Sequence, residues 1–175
     1  EFIPANTPYA VLNTGSNEYG RRWPLSKYRE LAEKLATKDL HVIFVGGRGE
    51  HPGDINTTNA RIIDLIGKTN LPQLLDLMNH ADLVVSNDTG PAHLSIALGT
   101  PSVVIVGGGH FGCFVPYPEG VCPDNARFVY HRMDCYHCFW NCPKRASKFE
   151  VFPCVEAVET HEVWDVAEQL LDSKS

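Results

Sequence analysis

The chain has 175 residues, of which 43% are hydrophobic and 21% are charged, and its formal net charge is −6. This length and composition are typical of one globular domain with its own core, and the negative charge argues against general nucleic-acid binding. No apolar run approaches the length of a membrane span, and the first ten residues lack the pattern of a secretion signal. These features predict a cytoplasmic protein in which an anionic ligand is bound by a local feature of the fold.

The first eight residues have the composition of a linker. Pro4, Asn6 and Pro8 lie within this stretch, and such residues are enriched between domains. We therefore predict that residues 1–8 are the remnant of an interdomain linker and that an N-terminal portion of the protein precedes them.

Apolar runs then alternate with amphipathic stretches. Most runs are continuous and rich in β-branched residues, which is typical of parallel strands covered on both faces; they span residues 9–13, 41–47, 61–67, 83–87, 102–109 and 127–130. Helical stripes begin at Tyr28, Leu71 and Val163, and each predicts a helix that covers the sheet. The pattern predicts an α/β fold with a Rossmann-like, doubly wound parallel sheet.

The later part of the chain departs from this alternation. Residues 107–158 are rich in Gly, Pro and Cys, so we predict a long irregular excursion that contains one strand. Residues 159–173 carry the last helical stripe and are predicted to form a C-terminal helix.

The turn "DTGP", residues 88–91, lies between a predicted strand and a predicted helix. Free N–H groups and the helix dipole at such a position favour an anion such as phosphate. We expect Thr89 to offer its hydroxyl, Gly90 to allow close approach, and Asp88 to turn back and accept loop N–H groups. The alternative is a well-made strand-to-helix turn that binds nothing.

The loop after the first strand, residues 13–22, is a second candidate phosphate loop. Ser16 offers a hydroxyl there, and Arg21 and Arg22 precede a helix start. Arginines beside hydroxyls can clamp a pyrophosphate, although two arginines on a loop are usually a solvated surface.

Two further loops follow predicted strands. Glu50, in the glycine-rich loop 45–54, is placed to accept the hydroxyls of a ribose, although a plain glycine turn with a surface Glu explains the loop nearly as well. The loop 66–74 contains Lys68 and Thr69, and its backbone is placed to line a base pocket. It lacks the glycine spacing of a Walker motif.

Four of the six cysteines follow the spacing C-x₂-C-x₃-C-x₁₁-C, at Cys135, Cys138, Cys142 and Cys154. This spacing is compatible with a structural zinc ion or an iron–sulfur cluster, with disulfides, or with free buried thiols. The phosphate loops are far away in sequence, so we do not expect a catalytic role for the cysteines.

Two segments of the chain resemble glycosyltransferase family 9, the ADP-heptose:lipopolysaccharide heptosyltransferases. The segments read "GRRWPLSKYRELAEKL" and "SNDTGPAHLSIALGTPSVVIVG", and the resemblance covers most of residues 9–173. It implies the C-terminal, donor-binding half of a GT-B fold. It also implies site residues: Thr89, Gly90, Ser16 and Arg21 at the diphosphate (Arg21 where the family has Lys), His93 near the sugar diphosphate, Glu50 or His51 at the ribose, and Lys68 and Thr69 at the adenine.

The resemblance further implies inverting transfer of heptose that requires no metal, with the catalytic base in an N-terminal domain. The expected partners are an ADP-sugar donor and a lipopolysaccharide core acceptor, the latter at the inner face of the inner membrane, where peripheral association is compatible with the fold. We expect the chain alone to be inactive. The alternatives are the donor domain of another GT-B enzyme, such as a UDP-sugar transferase or epimerase, and a nucleotide-binding module without catalysis.

Overall fold

A six-stranded parallel sheet forms the centre of the structure. The computed structural model describes residues 7–50, 55 and 57–173. The strands run in the order β3-β2-β1-β4-β5-β6 and every neighbouring pair is parallel. They are β1 (Tyr9–Asn13), β2 (His41–Val45), β3 (Ile62–Asp64), β4 (Leu83–Asn87), β5 (Ser102–Ile105) and β6 (Ala126–Val129). The order changes direction between β1 and β4, which makes this pair the switch point of the sheet.

Helices cover both faces of this sheet. They are α1 (Leu25–Ala36), α2 (Leu71–Asn79), α3 (Gly90–Ala97), α4 (Pro153–Glu156) and α5 (Thr160–Asp172), and a 3₁₀ turn spans Tyr19–Arg21. Leu12 and Phe44 pack on the face covered by α1 and α5, whereas Val11 and Ile43 pack with α2 on the opposite face. Alternate residues of one strand therefore contribute to two cores, which explains the continuous apolar runs. The predicted Rossmann-like, doubly wound fold is confirmed.

Capping residues set the limits of α2 and α3, the two helices beside the switch point. Asn70 and Gln73 form a reciprocal capping box at the start of α2, which satisfies N–H groups that the helix leaves free. Pro91 lies in the first turn of α3, and Gly99 follows that helix with a φ of +81°, a conformation that glycine adopts without strain. The capping box therefore fixes the start of α2, and Pro91 and Gly99 fix the start and the end of α3.

The predicted excursion, residues 107–158, contains β6 as its one strand and also the short helix α4, which the pattern did not indicate. The predicted C-terminal helix 159–173 corresponds to α5. Most of the predicted linker, residues 1–6, lies outside the described residues, and the Pro8 carbonyl accepts the His41 N–H at the start of the sheet. Within the described part of the chain, no helix is both long and apolar enough to cross a membrane.

Candidate functional site

A crevice of about 510 Å³ opens at the carboxyl ends of β1 and β4. In open α/β sheets, ligands bind at this edge, beside the switch point. The crevice brings together the loop after β1, the glycine loop after β2, the start of α2 and the start of α3. Its lining includes Asn13, Gly15, Ser16, Arg21, Gly46, Gly47, Glu50, Thr69, Asn70, Leu74, Thr89, Gly90 and Pro91.

The buried amide of Asn87, the last residue of β4, joins the loops on one side of the crevice. Its Oδ1 accepts the Trp23 N–H at 2.9 Å and the Tyr28 hydroxyl at 3.1 Å. Its Nδ2 donates to the carbonyls of Thr14 and Gly15 at 3.1 and 3.3 Å. Burial raises the pKa of Tyr28 well above its ordinary value, so the phenol stays protonated and donates. One side chain thus fixes the loop after β1 and the approach to α1 against β4.

Asn13, at the end of β1, makes a second connection across the switch point. Its Nδ2 lies 2.9 Å from Ser86 Oγ and 3.2 Å from Thr89 Oγ1. Thr89 is the N-cap residue of α3, but its side chain makes no capping hydrogen bond and instead donates to the Asn87 carbonyl at 3.3 Å. The side chain of Thr89 therefore leaves the first N–H groups of α3 uncapped, which suits an anion at this position.

Arg21 lies across the turn that precedes α3. Its Nη2 donates to the Asp88 carbonyl at 2.5 Å and lies 3.4 Å from Asp88 Oδ2. We expected Asp88 to accept loop N–H groups, but among the described residues its carboxylate pairs with Arg21 instead, because the 3₁₀ turn brings the guanidinium over the loop. Asp88 is only 8% exposed, and burial raises its pKa more than Arg21 lowers it.

Within the described part of the chain, two buried polar atoms of crevice-lining residues have no hydrogen-bond partner. They are Ser16 Oγ and Arg21 Nε. Buried polar groups in native proteins nearly always have a partner, and an unpaired one requires a specific explanation. A hydroxyl and a cationic N–H beside an uncapped helix start form a donor set that suits phosphate oxygens.

The opposite side of the crevice is formed by Glu50 and the start of α2. Glu50 Oε2 accepts the Gly47 N–H at 2.9 Å. The same carboxylate lies so close to Gly15 that a Cβ there would come within 2.2 Å of it. Only glycine therefore fits at position 15 without displacing Glu50. The alternative ribose residue, His51, lies outside the described residues.

Four residues predicted for the site do not line the crevice. One is Asp88, which pairs with Arg21 as described above. Arg22 supports it from behind, because its Nε donates to the Ser16 carbonyl at 2.9 Å. Lys68 points back to the Asp64 carbonyl at 2.7 Å, although its neighbour Thr69 does line the crevice. His93 lies one turn along α3, where its Nδ1 is 2.7 Å from the Tyr117 hydroxyl.

The predicted structural zinc is not supported by the geometry. Among residues 7–50, 55 and 57–173, no three His, Cys, Asp or Glu side chains are grouped to hold a metal. All six cysteines are free thiols, so the disulfide alternative has no support in this structure either. Of the four predicted ligands (Cys135, Cys138, Cys142 and Cys154), only the last is fully buried. Its Sγ accepts the Gly108 N–H at 3.3 Å, and burial raises the pKa of its thiol.

Asn13 and Asn87 are the structural residues of the site that the sequence analysis missed. Each is the last residue of its strand and is almost fully buried. The signal was present in the sequence, since an amide that ends an apolar run at two strands is a polar group carried into the core. Such a group needs partners, and the neighbouring loops supply them.

The strand order and the polar crevice at the switch point define a doubly wound α/β domain with its candidate site at the carboxyl edge of the sheet. The model of glycosyltransferase family 9 (heptosyltransferase) matches residues 1–139. The chain therefore belongs to glycosyltransferase family 9.

Curated relatives agree with this family, and solved structures share the fold. Lipooligosaccharide heptosyltransferase 2 of Campylobacter jejuni is 26% identical over 169 residues, which cover 91% of this chain and 50% of that protein. The solved ADP-heptose lps heptosyltransferase II of E. coli superposes with a TM-score of 0.78 at 21% identity, over 98% of this chain and 49% of that one. E. coli heptosyltransferase WaaC, solved with ADP, gives a TM-score of 0.65 at 22% identity, over 96% and 46%. The chain spans half or less of the length of the curated relatives it matches.

Proposed function

We propose that this chain is the donor-binding domain of an inverting heptosyltransferase and that its crevice binds the diphosphate of an ADP-heptose-like donor. The observation that carries the proposal is the pair of buried donors, Ser16 Oγ and Arg21 Nε, that have no partner among the described residues and belong to the crevice that the start of α3 also lines. Membership of family 9 supports the reaction class, and the E. coli relative solved with ADP supports the nucleotide.

The proposed role in the reaction is stabilisation of the leaving diphosphate. Charge accumulates on that group as the glycosidic bond to it breaks, and donors fixed in advance stabilise it most where charge develops. Arg21 supplies a full positive charge, the hydroxyls of Ser16 and Thr89 supply hydrogen bonds, and α3 adds its dipole. We propose that these groups provide this stabilisation without a metal ion.

The other half of the reaction requires a base for the acceptor hydroxyl. We assign none of the residues of the crevice to this role and propose that the base belongs to an N-terminal domain. The acceptor would then be a lipopolysaccharide core at the inner face of the inner membrane. On this proposal the chain binds donor but does not turn it over, and steady transfer to a lipid acceptor by the chain alone would contradict it.

Calorimetric titration with ADP, UDP and GDP, with and without a chelator, tests the nucleotide. We expect ADP to bind best and the chelator to have no effect. Ser16→Ala should weaken ADP about tenfold and Arg21→Ala about thirtyfold, which are ordinary losses for hydrogen bonds to a charged group.

The matched control is Arg61→Ala. Arg61 pairs with Asp39 at 2.9 Å and directly precedes β3, at the opposite end of the sheet from the crevice, so this variant should bind ADP like the parent. A preference for UDP would favour another GT-B sugar-nucleotide enzyme. Loss of affinity in Arg61→Ala equal to that in Arg21→Ala would show that the site is elsewhere.

A further inference from the structure

The face of the Arg21 guanidinium is covered by Trp140, which belongs to the cysteine-rich excursion. The guanidinium carbon lies 4.8 Å from the centroid of the indole ring, within the range of a cation–π interaction. We infer that Trp140 is a positioning residue that holds Arg21 in the orientation in which it receives a diphosphate. This inference rests on the function proposed above.

Trp140 is fixed by the glycines after β5. A Cβ at Gly109 would lie 2.2 Å from the indole, and one at Gly107 would lie 2.8 Å from it. The indole Nε1–H donates to His110 Nδ1 at 2.9 Å, which sets the rotation of the ring. Gly107 and Gly109 therefore allow the indole to lie directly against the backbone after β5, whereas Gly108 lies against Tyr136.

The backbone around Trp140 adopts an uncommon conformation. His137, Phe139 and Trp140 have φ values of 67°, 50° and 65°, in the left-handed region that bulky residues rarely enter. Such a conformation costs free energy and persists only where the surroundings impose it. Here the N–H groups of His137 and Phe139 donate to the carbonyls of Gly108 and Gly109 at 2.8 and 3.0 Å. The segment around Trp140 is thus bonded to the glycines that follow β5.

The excursion also holds the turn that carries Arg21. The Phe152 N–H donates to the Gly20 carbonyl at 2.8 Å. Arg145 pairs with Glu18 at 2.9 Å and lies over the Phe152 ring at 4.3 Å. Since the Phe152 ring also lies 4.8 Å from that of Trp140, one aromatic cluster contacts both the backbone of the turn and the guanidinium of Arg21.

These contacts hold one face and one nitrogen of the Arg21 guanidinium. One face lies against Trp140, and Nη2 is bonded to Asp88, while the Nε–H stays unpaired. A planar guanidinium can stack and donate in its plane at the same time, whereas an ammonium group has no face to stack. The arrangement orders the arginine while it keeps a donor for the ligand.

The first experiment measures the order of Arg21 without any nucleotide. The ¹⁵N–¹H NMR signal of Arg21 Nε–H, assigned by its loss in Arg21→Lys, should be sharp and shifted by the indole ring current. It should broaden and move in Trp140→Leu and be largely retained in Trp140→Phe. The matched control is Trp164→Leu, since Trp164 lies 5.7 Å from the Lys34 ammonium on another surface. An unchanged Arg21 signal in Trp140→Leu would overturn the inference, whether or not the protein binds ADP.

The second experiment compares ADP with AMP, because the ratio of their dissociation constants isolates the second phosphate. Trp140→Leu should lower the ratio of the AMP dissociation constant to the ADP dissociation constant roughly three- to tenfold, as expected for a lost cation–π contact, and leave AMP affinity unchanged. In an Arg21→Ala background the same substitution should have no effect on the ratio. A purely structural role for Trp140 would weaken AMP and ADP equally and would overturn the inference. Failure of the parent protein to bind ADP would overturn the proposed function, and the NMR signal would still decide the role of Trp140.

Discussion

The two sides of the crevice are built in different ways. The side between β1 and β4 is buried and is joined by side-chain hydrogen bonds from Asn13 and Asn87. Asn87 donates to the loop after β1, and Asn13 reaches Thr89 at the start of α3. The side formed by Glu50 and the start of α2 is more exposed and satisfies its own polar groups, through the Glu50–Gly47 bond and the capping box of Asn70. The first side is therefore a rigid framework with unused donors, and the second is a set of independent local turns.

This difference indicates how the two sides would share the binding of a nucleotide diphosphate. Rigid donors fixed before binding favour a group whose charge is large and whose geometry is fixed, as in a diphosphate. Independent turns can be altered one at a time with little effect on the rest of the fold. We therefore expect substitutions on the rigid side to affect stability and affinity together, and substitutions on the other side to affect affinity alone.

The largest effect is expected for Asn87→Ala. It removes hydrogen bonds to four residues at once and leaves buried partners unsatisfied, so the free energy of unfolding should fall by about 3 kcal/mol and ADP affinity should fall as well. Urea denaturation and calorimetry measure the two effects.

The control is Asn125→Ala. It also removes hydrogen bonds that a side-chain amide donates to two carbonyls, those of Ile96 and Thr100, but these lie away from the crevice. It should lower stability while ADP affinity stays at the level of the parent. Equal loss of affinity in both variants would remove the distinction between the two sides.

A smaller effect is expected for Glu50→Gln on the other side. The amide can still accept the Gly47 N–H but is a weaker acceptor for ribose hydroxyls, so ADP should bind about threefold more weakly, with stability and pyrophosphate affinity unchanged. Glu162→Gln is the matched control, because Glu162 Oε2 also accepts the N–H of the residue three positions earlier, Glu159, at 2.8 Å. An effect of Glu50→Gln on pyrophosphate would place this carboxylate on the phosphate side.

The smallest effect is expected for Asp88→Asn and depends on pH. Burial raises the pKa of Asp88 above its ordinary value of 3.8, so the folded state binds this proton more tightly than the unfolded state. Ionisation of Asp88 therefore costs stability as the pH rises above that value. Asp88→Asn should melt slightly higher than the parent at pH 7, and the difference should vanish below about pH 4.

Asp134→Asn provides a contrast of opposite sign. The pKa of Asp134 is lowered by its exposed pair with Lys144, so its stabilisation is present above the unfolded pKa and is lost as the pH falls. Asp134→Asn should melt no higher than the parent at pH 7. A lower melting temperature for Asp88→Asn at pH 7 would show that the ion pair with Arg21 outweighs the cost of burial.

The fold was predictable from the sequence because its elements follow simple periodicities. The runs that became β1 and β4 had the limits observed, and the helical stripes from Tyr28, Leu71 and Val163 lie on α1, α2 and α5. The carboxyl ends of parallel strands meet at one edge of the sheet. The sequence therefore predicted that the loops of Ser16, Glu50 and Thr89 lie close together. Their role in binding a donor remains a prediction.

The contacts between distant segments could not be predicted in this way. Arg22 was predicted as part of an arginine clamp, and Lys68 was predicted from the resemblance as a backbone contact to adenine. Their side chains turn to the Ser16 and Asp64 carbonyls. Trp140 follows Arg21 by more than a hundred positions and reaches it through an irregular segment without periodicity. Its place depends on close packing against Gly107 and Gly109, which is a property of three-dimensional shape.

A crystal structure of the chain with ADP tests most directly whether the crevice binds the diphosphate of the donor. We predict that the diphosphate lies at the start of α3, with phosphate oxygens within hydrogen-bond distance of Ser16 Oγ and Arg21 Nε, two buried crevice donors that have no partner among the described residues. An ordered ADP whose diphosphate lies elsewhere, with both atoms still unpaired, would contradict it.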